Sequence, residues 1–149
     1  MINIRVVCES DRDEWARMRN SLWPDSRSKH LEAIDKYFAD EGWGIVEVLV
    51  LERSPGKLAG FVELNLREYA EGSALLPVPY VEGWYVDRDM RGQGYGKQLM
   101  VAAEKWALEN NFDELASDAA INNTRSIAAH SALGFKEVDR IVCFLKKIR

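Results

Sequence analysis

Asp87-Arg88-Asp89-Met90-Arg91-Gly92-Gln93-Gly94-Tyr95-Gly96-Lys97-Gln98-Leu99 places three of the chain's ten glycines at alternate positions, after an apolar run and ahead of an amphipathic segment. Glycines without a Cβ let successive backbone N–H groups turn toward one point, and the first turn of a following helix adds unpaired donors and the positive end of its dipole. The constellation suits a pyrophosphate. The dipole alone contributes only ~0.3–1 kcal/mol per charge at an exposed site, so several amides and the side chains of Arg91 and Lys97 must share the work. Two other phosphate loops are excluded by spacing. A Walker loop requires GxxxxGK followed by Ser or Thr, but Arg91 stands five residues before Gly96 and Gln98 follows Lys97. A dinucleotide fingerprint requires GxGxxG, whereas Gly92, Gly94 and Gly96 give GxGxG. A plain glycine-rich turn from strand to helix is the remaining alternative, and the position of the loop argues against it.

Outward from this loop the chain alternates strands and helices. Asn3 to Val7 reads as a strand. Ser10 reads as an N-cap with Asp11, Asp13 and Glu14 in the first turn, and Trp15, Met18 and Leu22 keep helical spacing up to Pro24. Leu31, Ile34 and Phe38 predict a second helix ending at Gly42. The runs WGIVEVLVLE and LAGFVELNLRE, joined by Ser54-Pro55-Gly56-Lys57, predict an antiparallel hairpin. After a loop from Tyr69 to Pro79 comes a strand from Tyr80 to Val86. A helix follows from Gly96 to Asn110, with Leu99, Ala103, Trp106 and Ala107 on one face. Glu114 to Ala119 is a short strand and Thr124 to Leu133 a helix closed by Gly134. Two β-like runs, Lys136 to Asp139 and Ile141 to Lys146, finish the chain. The fold class expected is α/β with a mixed sheet flanked by helices, and the step from strand to helix at Val86 is where ligands tend to sit.

With 149 residues, no repeats and no long linker, residues 1–149 are expected to form one domain. The net charge of −4 gives no reason to expect nucleic acid as a partner, and a cationic partner suits it better. Two cysteines, Cys8 and Cys143, make no disulfide framework or metal motif. No signal peptide or membrane span is read, so a cytoplasmic protein with no membrane partner and no metal is expected.

The segments VEGWYVDRDMRGQGYGKQLM and ASDAAINNTRSIAAHSALGF resemble the acyl-CoA-binding core and the second half of the GNAT superfamily of N-acyltransferases. Leu22-Trp23-Pro24, the Tyr69 loop, Val81-Glu82-Gly83, Ser117-Asp118 and His130-Ser131-Ala132-Leu133-Gly134-Phe135 are similar to the aminoglycoside 6'-N-acetyltransferases of that type. The resemblance implies a GNAT-like, mostly antiparallel sheet splayed between its fourth and fifth strands, with acetyl-CoA as acyl donor. It implies that the Arg91, Gly92, Gln93, Gly94, Tyr95, Gly96 and Lys97 loop holds the CoA pyrophosphate and that the backbone of Trp84, Tyr85 and Val86 pairs with the pantetheine arm. It also implies a side-chain contact from Asn123, which equally suits a helix cap. Gly83, inside a β-branched and aromatic strand, suggests a bulge that opens the slot, or a site of close packing.

An acceptor amine with a pKa near ~10.4 is neutral in only about one molecule in 2,500 at pH 7, a penalty of roughly 4–5 kcal/mol without a base. A carboxylate can bind the ammonium and then take its proton. Glu82 and Asp118 are the candidates, and the resemblance places both against the aminoglycoside. Trp23, Glu68, Tyr69, Glu82, Asp118 and Asp139 match positions lining the family's acceptor pocket, four of the six being carboxylates, as a polycation requires. His130 stands where many superfamily members have a proton-donating Tyr, and suits a packed, hydrogen-bonded residue as well as a donor. The activity implied is acetyl-CoA-dependent acetylation of an aminoglycoside 6'-amine by direct transfer, conferring antibiotic resistance, in a homodimer. Acetylation of polyamines or protein amino groups, and a silent acyl-CoA-binding module, are the alternatives.

Overall fold

A computed structural model describes residues 2–41 and 44–149. The expected helix end at Gly42 lies outside the described residues. The strands are β1 (Asn3–Val6), β2 (Ile45–Ser54), β3 (Lys57–Arg67), β4 (Val78–Val86) and β5 (Ala116–Ser117), and the helices are α1 (Arg12–Leu22), α2 (Arg27–Phe38), α3 (Tyr95–Glu109) and α4 (Thr124–Ala132). They form one five-stranded sheet in the order β1-β2-β3-β4-β5. The first three pairings are antiparallel and the β4–β5 pairing is parallel.

The alternation along β2 sorts the core into two layers, since successive side chains leave a strand on opposite faces. Val48 and Val50 face α1 and α2, where Trp15, Met18, Ile34, Phe61 and Tyr85 complete the packing. Leu49 and Leu51 face α3, against Val62, Leu64, Val81, Leu99, Met100 and Ala103. The Leu99 and Ala103 stripe read from the sequence is thus the seam between α3 and the sheet.

Three local expectations change. Ser10 does not cap α1: the helix follows a 3₁₀ turn at Glu9–Asp11. Asp11 turns its carboxylate back to the Cys8 amide at 2.8 Å and to Arg5 at 2.7 Å, so the acid read as a first-turn residue ties β1 to the helix entrance. β5 is only two residues long. The two strands expected around Lys136 to Asp139 and Ile141 to Lys146 are absent among the described residues. Alternating apolar residues suit a strand, but a strand exists only with a hydrogen-bonded neighbour, and this chain lays none beside them. Phe144 and Leu145 are accordingly 92% and 91% exposed.

β4 is the element that positions the site. Its register with β3 runs Glu63↔Gly83 and then Leu64↔Val81, so Glu82 is the extra residue of a bulge. Its pairing with β5 covers only Tyr80↔Ala116 and Val81↔Ser117. Past Val81 the edge of β4 facing β5 has no strand against it among the described residues, which is the splay between the fourth and fifth strands.

Candidate active site

β4 ends at Val86, and the chain passes through a 3₁₀ turn at Arg88–Met90 into the glycine loop and α3. Gly92 and Gly94 have φ of 77° and 85°, and a Cβ on either would meet nothing within 4 Å. These glycines are therefore required for backbone conformation and not for space. Among the described residues, the amides of Gly92, Gln93, Gly94, Tyr95, Gly96 and Lys97 make no hydrogen bond to protein, whereas Gln98 N–H already donates to Gly94 O at 3.1 Å. Six adjacent unsatisfied donors at the mouth of a fifteen-residue helix are a cradle for an anion with several oxygens. Arg91 donates from Nε to Val86 O at 2.7 Å, which fastens the loop to the end of β4. Trp84 Nε1 donates to Gly96 O at 3.0 Å and fixes the helix start over the strand. The loop, the first turn of α3 and the open edge of β4 at Trp84, Tyr85 and Val86 thus lie in sequence along one path. They fit a molecule that joins a diphosphate to an extended polar arm, as CoA does. Asn123 accepts from Ser126 N–H at 3.1 Å through Oδ1, so it caps α4; its Nδ2 has no protein partner among the described residues.

The acidic candidates lie on the other side of the bulge. Glu82 accepts from Asn65 Nδ2 at 3.1 Å and takes a two-pronged grip from Arg67, at 2.8 Å from Nε and 2.5 Å from Nη2. The carboxylate holds the Arg67 guanidinium above its ordinary pKa through those bonds. Arg67 lies over the Tyr80 ring at 3.6 Å, and Tyr80 donates its hydroxyl to Asp118 at 2.7 Å. Burial, then the bond to Asp118, pushes the Tyr80 hydroxyl up, so it stays a donor. Glu82 and Asp118 are thereby joined through Arg67 and Tyr80. Arg67, Tyr80, Asp118 and Asp139 line a single cleft of about 1070 Å³.

Trp23 reaches the site from the end of α1. A Cβ at Gly83 would stand 2.4 Å from Trp23 Cη2, so this glycine is a place of close approach while the register slip falls on Glu82 beside it. Arg19 stacks over Trp23 at 5.0 Å and also bonds the buried Glu63, which accepts from Trp15 Nε1 at 2.9 Å. Glu68 and Tyr69 follow Arg67 directly and are exposed, Tyr69 at 68%. They make no contact with Trp23, Glu82, Asp118 or Asp139 among the described interactions. Asp139, in the C-terminal segment, accepts from the Arg140 amide at 2.8 Å.

His130 is placed as a packing residue. Its Nδ1 donates to Ser126 O at 2.7 Å, so Nε2 accepts from Ser117 Oγ at 2.8 Å, and the ring lies edge-on to Trp84 and Phe135. Both nitrogens are engaged, and the histidine ties α4 to β5 and to the strand bearing the open edge. Arg67, Tyr80, Asn65 and Arg19 were not read as site residues from the sequence. The available signal was alternation: Asn65 and Arg67 are two apart on β3, and Tyr80 and Glu82 two apart on β4, so each pair tends to one face.

The profile of the acetyltransferase (GNAT) family matches residues 14–135. The chain is 38% identical to an aminoglycoside N(6')-acetyltransferase type 1 of Klebsiella aerogenes, over 97% of this chain and 96% of that protein. Among solved structures, the apo aminoglycoside 6'-N-acetyltransferase AAC(6')-IG of Acinetobacter haemolyticus is 36% identical, with a TM-score of 0.85 over 99% of each chain. AAC(6')-Iy, solved with the bisubstrate analogue CoA-S-monomethyl-acetylneamine, is 28% identical, with a TM-score of 0.88 over 99% of each chain.

Proposed function

The chain belongs to the GNAT family of acetyltransferases, and we propose that it acetylates the 6'-amino group of aminoglycosides by direct transfer from acetyl-CoA. The observation that carries this is the pairing of an open amide cradle with an acidic cleft on either side of the β4 bulge. Bound acetyl-CoA supplies an activated thioester carbonyl. The amides from Gly92 to Lys97, with the Arg91 and Lys97 side chains, hold its diphosphate. The β4 edge at Trp84, Tyr85 and Val86 orients the pantetheine arm and offers an N–H to carbonyl oxygen that gains charge. Asn123 contributes its Nδ2 to the same ligand.

Glu82 and Asp118 serve the acceptor. They bind it as an ammonium, and one of them takes up the proton that must leave before nitrogen can attack, directly or through water. Asp139 and Glu68 pair with further ammonium groups, and Trp23 and Tyr69 give apolar and cation–π faces worth ~0.5–2 kcal/mol each.

Residues 1–149 act as one domain, and the working assembly is a homodimer. Val142, Phe144, Leu145 and Ile148 are exposed, and β5 closes the sheet with a strand on one side only, which together suit a second copy. The setting is the reducing cytoplasm, in keeping with two free cysteines. No helix among the described residues is long and apolar enough to cross a membrane.

A thiol-release assay with acetyl-CoA across kanamycin- and tobramycin-like aminoglycosides, polyamines and peptides tests the reading. Turnover confined to aminoglycosides with a free 6'-amine is expected. Faster turnover of polyamines or peptides would reassign the acceptor, and silence with every amine despite CoA binding would leave only an acyl-CoA-binding module. Light scattering that returns a monomer would remove the dimer.

A further inference from the structure

Arg67 is the residue whose placement the proposed chemistry leaves unexplained. The wall of a cleft read as receiving ammonium groups already carries a guanidinium, and it is bonded twice to Glu82, the carboxylate beside it on β4, at 2.8 Å and 2.5 Å. Such a pair is a strong one when it is dry. This one is half open: the Arg67 side chain is 39% exposed and that of Glu82 22%. Long, partly solvated arginine side chains exchange partners at little cost. The guanidinium also has somewhere to stay, since the Tyr80 face holds it at 3.6 Å whether or not Glu82 does. Tyr80 in turn spends its hydroxyl on Asp118, so the second carboxylate is held by a neutral donor and not by a cation.

We infer that Arg67 is a specificity-determining residue, an internal cation that occupies the ammonium position on Glu82 and must be displaced by an acceptor that relies on Glu82. This rests on the reading of the cleft as an acceptor-amine site. The consequence is a threshold. An acceptor carrying several ammonium groups can anchor on Asp118 and Asp139 and depends less on Glu82, so the guanidinium there costs it less. A small amine with one or two charges must take Glu82 from a two-bonded competitor with little else in return. Arg67 thereby selects for polycations without touching them in the ground state, by raising the cost of entry for everything else. A purely supporting role, in which Arg67 merely orients Glu82 for the acceptor, predicts the opposite sign on its removal.

The test is steady-state kinetics of the full chain with saturating acetyl-CoA, using kanamycin and a linear diamine as acceptors, for the parent enzyme, Arg67→Met and Arg67→Lys. The KM of Arg67→Met is expected to fall about threefold to fivefold for the diamine, the upper range for an open ion pair at tenfold per 1.4 kcal/mol, and less for kanamycin, with the change carried by KM. Arg67→Lys, which keeps the charge but loses the two-pronged grip, is expected to lie between Met and the parent. CoA titration calorimetry checks that each variant is folded. A KM for folded Arg67→Met equal to or above the parent's overturns the inference. Should Arg67→Met bind no CoA, Arg67→Lys decides, a KM at or above the parent's again overturning it. If the parent acetylates neither acceptor, the reading of the cleft falls and the role of Arg67 falls with it. Parental turnover with unaltered variant KM values sinks the role of Arg67 alone.

Discussion

Two arginine–carboxylate pairs stand on the same side of β3, four residues apart along the strand. In one, Arg19 from α1 holds Glu63, and in the other Arg67 holds Glu82 from β4. The Glu63 side chain is only 2% exposed and shares its oxygen with Trp15 Nε1, while the Glu82 side chain is 22% exposed and is held by Arg67, a residue of the cleft wall. Burial pushes the Glu63 carboxyl above the ordinary carboxylate range against the pull of Arg19. The same two residue types therefore serve different ends. The dry pair is a fixed part of the frame: the carboxylate has almost no water to fall back on, and Arg19 also stacks on Trp23, which packs against Gly83. The wet pair can open because water can solvate either member and an ammonium can take the guanidinium's place.

Substituting the arginine by methionine in each pair is the sharpest way to break that comparison. Arg19→Met leaves Glu63 buried without a counter-ion and is expected to cost about 3–5 kcal/mol of stability, read as a fall in the urea midpoint. The loss should depend on pH. With its folded-state value raised above the ordinary 4.5, the Glu63 carboxyl favours folding fully below that value and loses the benefit as pH rises. Unfolding curves of Arg19→Met should therefore approach those of the parent as pH is lowered from 8 toward 4.5; a deficit constant with pH would mean that Glu63 is not the group left unpaired.

Asp118→Asn probes the open side directly. It keeps the oxygen that accepts from Tyr80 but cannot take a proton, so kcat/KM is expected to drop about 100-fold or more with the fold intact. A drop of less than threefold would move the base role to Glu82 alone. Gly83→Ala lies between the two regions. Its Cβ would meet the rigid Trp23 ring at 2.4 Å, and the shift needed is expected to cost about 1–3 kcal/mol and to raise the acceptor KM. An unchanged melting temperature and KM would show that Trp23 is free to move. The smallest stability effect belongs to Arg67→Met, expected below about 1 kcal/mol for a half-open pair. A loss as large as that of Arg19→Met would erase the distinction between the pairs.

Much of this architecture could be read in advance. The helical stripe ending in Leu99, Ala103 and Ala107, the hairpin at Ser54 to Lys57 and the glycine loop all emerged at close to their observed places, because each is set by contacts between residues near in sequence. The C-terminal strands did not, because the pattern of Val138, Ile141 and Phe144 specifies a preference and not a neighbour. The acids and aromatics proposed for the site, Trp23, Glu82, Asp118 and Asp139 among them, were legible as candidates. Their mutual arrangement was not, and Arg67 stood unnoticed one residue before the Glu68-Tyr69 pair.

By itself, then, the sequence determined where backbone donors would be left open. Positive φ at Gly92 and Gly94 and an uncapped helix start are local properties that the residue types impose wherever the segment lies. Only the tertiary structure decided which charge meets which. Arg19 finds Glu63 across 44 residues and Arg67 finds Glu82 across 15, and the second meeting falls at the register slip of β4, beside the cleft that Arg67 lines. Coulomb attraction names no partner in advance. Burial and strand register choose it, and with it whether the pair is locked into the frame or left free to exchange.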